Sequence, residues 1–130
     1  MNKICTSLEQ SQKLIELGID IKTADMDYIP FTNNPQEYDC IINVWNNEHE
    51  KDWIPAWSLT ALIELMPYHI IENNIRYAFK QYKGYNSQGE TYRFEYVSNF
   101  GITLYETYYL NNLVDAAFEM VCWLKENKKI

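Results

Sequence analysis

Apolar residues recur along this chain with two different spacings, and the switch from one to the other predicts its elements. The most apolar stretch lies between Pro55 and Pro67. Ser58 stands where an N-cap is needed, its hydroxyl placed to accept an otherwise unpaired N–H of the first turn. Pro67 has no N–H with which to continue a helix, so the pattern predicts a helix over 58–66. Past Ser58 only Thr60 and Glu64 are clearly polar, one turn apart on one side. A helix this apolar must be covered on most of its surface, which places it in the middle of the fold.

Two more helices follow from the same spacing. Ser7-Leu8-Glu9-Gln10 resembles a capping box, and Gly18 is placed to end that helix in the left-handed conformation. The resulting helix, 8–17, carries Leu8, Leu14, Ile15 and Leu17 on a narrow stripe. A helix at 113–125, capped by Asn111 or Asn112, presents Val114, Ala117, Phe118, Val121 and Leu124, widened by Met120 and Trp123.

Elsewhere the period falls to two. Strands are expected at 25–29, 38–45, 75–80, 92–96 and 102–109, with turns at 32–35, 84–89 and 98–101. Residues 46–52 read as a polar loop and 68–74 as irregular or weakly extended. Ile75, Tyr77 and Phe79 face inward in one strand, Tyr92, Phe94 and Tyr96 in the next, leaving Arg93 and Glu95 outward. The order is helix, two strands, helix, three strands, helix. It predicts a single α+β domain over 1–130: an antiparallel sheet of about four or five strands with three helices packed on it.

Composition changes this picture in one respect. Eleven tyrosines, five phenylalanines and four tryptophans are more rings than a core of this size needs. Tyrosine keeps its hydroxyl wet while packing its ring, so the surplus suits half-exposed sheet faces and interfaces. The net charge of -7 argues against nucleic acid or an anionic membrane as partner, because both need local excess Lys and Arg. The eleven basic residues are scattered apart from Lys80 with Lys83 and a group at Lys125, Lys128 and Lys129. Cys5, Cys40 and Cys122 form no metal knuckle or disulfide framework, and Cys40 and Cys122 read as small buried hydrophobes. With no apolar leader and no run long enough to span a bilayer, the expectation is a soluble, cytoplasmic chain.

Few residues of this chain stand in a pattern that chemistry requires. His49 has Glu48, Glu50 and Asp52 beside it, but adjacent loop residues diverge and no metal-ligand spacing is present; a solvated acidic loop is expected. His69 reads as a hydrogen-bonded structural histidine. Asp25 with Asp27, and Asp115 with Glu119, share faces, as exposed acids commonly do. No nucleophile elbow or glycine-rich phosphate loop exists, so neither catalysis nor a cofactor or metal is expected. Glu64 is the acid to watch. Buried, it needs Arg76 or Arg93 or a raised pKa; on a wet edge with Thr60, it needs nothing.

The blocks Ile54–Pro67 and Val114–Asn127, together with the Ser7–Gly18 helix, resemble a family of small bacterial and phage-associated proteins of unknown function. That resemblance implies the element order and a prophage or mobile-element setting, with no activity attached. Relatives of this kind close the last helix with glycine where Asn127-Lys128 stands here, which implies a different C-terminal cap. Two functional expectations follow. The first is a non-enzymatic protein acting by contact with a protein partner or with further copies of itself, through its surplus aromatics. The second is a small-ligand module with an aromatic pocket between sheet and central helix, lined by Trp57, Tyr77 and Phe94 with Glu64 nearby. An acidic mimic of nucleic acid stands behind both.

Overall fold

The computed structural model describes residues 3–31, 34–42 and 48–130. Three helices, α1 (Leu8–Glu16), α2 (Leu59–Glu64) and α3 (Leu113–Glu126), stand where the apolar spacing puts them. Their ends are set by local hydrogen bonding. In α1 the Ser7 hydroxyl accepts from the Gln10 N–H at 3.1 Å while the Gln10 side chain accepts from the Ser7 N–H at 2.9 Å, a complete capping box. Gly18, at φ 90°, lets its own N–H reach Ile15 and that of Ile19 reach Leu14, closing the helix. Asn112 caps α3 by accepting from Val114 and Asp115. At the far end Lys128 takes the left-handed position at φ 58° that glycine usually fills, and Lys129 N–H still reaches Leu124 at 2.8 Å. This cap therefore makes the closing hydrogen bonds and carries the strain of a side chain in the left-handed position.

Among the described residues seven antiparallel strands make two sheets, not one sheet of four or five. The first is ordered β2–β1–β3, from β1 (Met26–Phe31), β2 (Asn34–Ile42) and β3 (Ile54–Ala56). The second is a meander of β4 (His69–Glu72), β5 (Ile75–Asn86), β6 (Gly89–Ser98) and β7 (Thr103–Glu106). Residues 68–74, expected to be weakly extended, supply β4 because Asn73 and Asn74 both adopt positive φ, the requirement of a two-residue hairpin turn. Asn34 and Pro35, expected in a turn, begin β2. The expected strand residues 43–45 and the Cys40 side chain fall outside the described residues.

The inner face of the four-stranded sheet, α2, α3 and Leu14 of α1 enclose the main core. Strand register brings the rings together: Phe79 lies opposite Tyr96, and its centroid is 5.4 Å from that of Phe94 and 5.8 Å from that of Tyr96. Tyr105 of β7 stacks on Trp123 of α3 at 4.4 Å, tying the sheet's last strand to the helix layer. Each fully covered aliphatic or aromatic side chain of this core contributes about 1.5–3 kcal/mol over its exposed state. A smaller cluster of Cys5, Met26 and Ala56, with Tyr28 against it, fills the space behind the three-stranded sheet. Among the described residues no helix is long and apolar enough to cross a membrane.

Candidate functional site

Trp57, Tyr77 and Phe94 lie in the main core at 0%, 7% and 0% exposure, so these three are packed against protein and do not line an open pocket. Trp57 is locked from both ends. Its indole N–H donates to the Thr23 hydroxyl at 2.9 Å, and its backbone pairs with Thr6. Glu64 is exposed, as is Thr60, the wet edge of an otherwise apolar helix. Where α2 and the sheet part, a groove of about 340 Å³ opens instead between Ile63, Glu64, Met66, Pro67, Tyr68 and Phe79.

The polar residues picked out from the sequence do not converge. Asp25 holds the N-terminus of α2, accepting from the Ser58 N–H at 2.9 Å and from the Ser58 hydroxyl. Asp27 is buried against His49 Nδ1. His49, expected in a solvated loop, is turned inward, its side chain almost wholly covered and its Nε2–H donating to the Ile21 carbonyl at 2.8 Å. Both ring edges are thus occupied by protein acceptors, and the imidazole ties the loop before β3 to the three-stranded sheet. Asp115 takes Lys3 Nζ at 2.6 Å and the Gln10 amide at 2.9 Å. Glu119 faces the other way, accepting from the Tyr108 backbone N–H, and burial raises its pKa above the usual carboxylate value. Burial also pushes the Cys122 thiol up to about 11, leaving little thiolate near neutral pH.

One cluster does gather charge and rings in a single place, and it lies on the outer face of the four-stranded sheet. Antiparallel register sets Tyr82 opposite Arg93 and Glu95 opposite Glu106. After β7 the chain runs on beside β6 with one extra residue. The Thr107 N–H donates to Phe94 and the Leu110 N–H to Tyr92, so three steps on this strand match two on its neighbour. That bulge rolls Tyr109 across the sheet. The Arg93 guanidinium is held between two rings, 4.9 Å from the centre of Tyr82 and 4.7 Å from that of Tyr109. Its Nη1 meets Glu106 at 2.9 Å and its Nη2 meets Glu95 at 3.7 Å.

Glu95, expected to point to water, is only 4% exposed under this cover. The Tyr82 hydroxyl donates to it, and that bond, followed by burial, raises the Tyr82 pKa above the ordinary tyrosine value. Gly84 makes the floor: a Cβ there would meet the Thr91 hydroxyl at 2.9 Å and the Tyr109 ring at 3.3 Å. Only glycine leaves room for Tyr109 to lie flat. Beyond it a groove of about 350 Å³ is lined by Gly84, Tyr85, Asn86, Thr91 and Tyr109. Tyr85 stands at its margin, 83% exposed, and Tyr109 itself is 50% exposed.

This surface holds no nucleophile with a base beside it, and its carboxylates are tied to Arg93. What it offers is a rigid shelf of tyrosine rings around a neutralised arginine. Alternation in β6 announced Arg93 as outward, but the two tyrosines that enclose it come from a different strand and from beyond a bulge. Among known proteins, no family model, curated protein or solved structure matches this chain.

Proposed function

We propose that the protein acts by contact with another protein chain, through the outer face of the four-stranded sheet around Tyr82, Tyr109 and Tyr85. The observation that carries this reading is a pair of wet tyrosines, Tyr85 and Tyr109, at a shelf whose Arg93 is already immobilised. Rings in water lose little conformational freedom when covered and bring a large contact area, and Arg and Tyr are enriched where interfaces gain most of their affinity. Holding Arg93 between Tyr82 and Tyr109 means that little ordering remains to oppose binding at this shelf.

A photo-crosslinking amino acid placed at 109 in the native cells tests the reading, with the same label at Gln12 on the exposed side of α1 as control. The expected result is one discrete adduct from position 109, weakened by Tyr82→Ala and absent from position 12. Equal labelling at both positions, or none at 109, would overturn it.

A further inference from the structure

The outer face of the four-stranded sheet carries a charge opposite in sign to that of the whole chain. Residues paired across strands share a face, and faces alternate along each strand. Tyr82 opposite Arg93 therefore assigns the rest. Arg76, Ala78 and Lys80 of β5 point outward with Tyr82. His69 and Ile71 of β4 and Glu95 and Val97 of β6 stand across from them, and Glu106 of β7 lies opposite Glu95. The strands of this face thus show three of the chain's eleven basic residues, Arg76, Lys80 and Arg93, and two of its eighteen acids, Glu95 and Glu106. On a chain of net charge -7 that is a local excess of cations which composition conceals.

The two ends of the face differ. Glu95 and Glu106 both close on Arg93, and Glu95 also accepts from the Tyr82 hydroxyl. At the other end Arg76 and Lys80 are exposed, and among the described residues neither takes part in an ion pair. Glu95 lies opposite Lys80 but is buried and already serves Arg93. Ala78, between the two cations, is small and leaves the floor between them low. Ile71, directly opposite Arg76, is 63% exposed, an apolar side chain beside a free guanidinium.

The dimensions select the class of partner. Arg76 and Gly84 stand eight positions apart on β5. At a strand rise of about 3.4 Å per residue the face extends roughly 27 Å. That is the width of an interface covering about 800 Å² on each partner, and far more than a small anion needs. Nucleic acid fits poorly, because its closely spaced phosphates would run from two free cations onto a molecule rich in carboxylates.

We infer that the partner at the outer face is a protein with an acidic patch, whose carboxylates meet Arg76 and Lys80 while an apolar side chain covers Ile71. The tyrosine shelf is the other end of the same footprint. This inference rests on the reading of the shelf as a contact surface and deepens it: the rings supply area, and the free cations set the sign of the partner.

The crosslink from position 109 carries the first test. Arg76→Glu with Lys80→Glu is expected to lower the adduct about tenfold. Lys13→Glu, a single charge reversal at an exposed site on α1, is expected to leave it unchanged. Should the reversed chain fail to fold, Arg76→Gln with Lys80→Gln replaces it, with a smaller loss. The second test uses polyglutamate of about fifty residues as probe, which is expected to move the amide NMR signals of 69–71 and 76–80 at low salt and to lose its hold as salt rises. An adduct that survives both double variants overturns the inference and leaves the shelf standing. No adduct from the native sequence overturns both. Signals that ignore polyglutamate, or that respond more strongly to a single-stranded oligonucleotide, also overturn the inference.

Discussion

The two faces of the four-stranded sheet are built from the same kinds of residue and do opposite things. On the inner face Tyr77, Phe79, Phe94 and Tyr96 lie under α2 and α3, and even the Tyr96 hydroxyl is engaged, donating to the Pro67 carbonyl at 2.7 Å. On the outer face Tyr82 and Tyr109 lie on a guanidinium, and among the described residues no helix stands above them. A ring inside the layer contributes by leaving water; a ring outside contributes by fixing a charge and remaining available. The difference shows that aromatic content by itself says little about function. What matters is whether a second layer covers the ring.

The largest test of this contrast removes a ring from each face. Phe94→Ala, fully buried against Phe79, is expected to lower stability by about 3–5 kcal/mol. Tyr109→Ala is expected to lower it by about 1 kcal/mol or less, because its partner is a partly exposed cation. Urea unfolding measures both, and equal losses would erase the distinction between the faces.

A smaller effect separates shelf from salt bridge. Arg93→Lys keeps the charge near Glu106 but loses the flat guanidinium between the rings. It is expected to cost about 0.5–1 kcal/mol in the same assay and to loosen Tyr109, visible as faster ring averaging in NMR. A lysine variant with unchanged stability and ring dynamics would mean that the rings merely cover Arg93.

The smallest concerns how the inner layer supports the outer. Glu119 of α3 receives the N–H of Tyr108, and burial holds its pKa above the usual carboxylate value. A raised folded-state pKa contributes stability that is complete below the unfolded value and is lost as pH rises through the folded one. Glu119→Gln abolishes that dependence. The variant's stability relative to the native chain should therefore increase from about pH 4 to about pH 7. Parallel unfolding curves at the two pH values check it, and a difference that does not change with pH would show the carboxyl to be solvated.

The helices could be read from the chain because everything that makes them is local. Ser7 with Gln10, Ser58, Asn112 and Gly18 act within a few residues of where they stand, and the spacing of apolar residues names the buried side. Alternation likewise identified β5 and β6 and their inner rings. It could not say that the strands divide into two sheets, since period two marks a strand without choosing its neighbour. The Asn73-Asn74 pair was the available signal for β4 and its hairpin.

His49 against Asp27, Glu95 under Arg93, and Arg93 between Tyr82 and Tyr109 join residues 22, 2, 11 and 16 positions apart, through strand register, loop closure and a bulge. Each of those is set by how the whole chain packs. Caps and periodicity are properties of neighbours along the backbone, so the amino-acid order carries them. The shelf of tyrosines around Arg93 belongs to contacts made across strands, and it came into being only when the sheet closed on its helices.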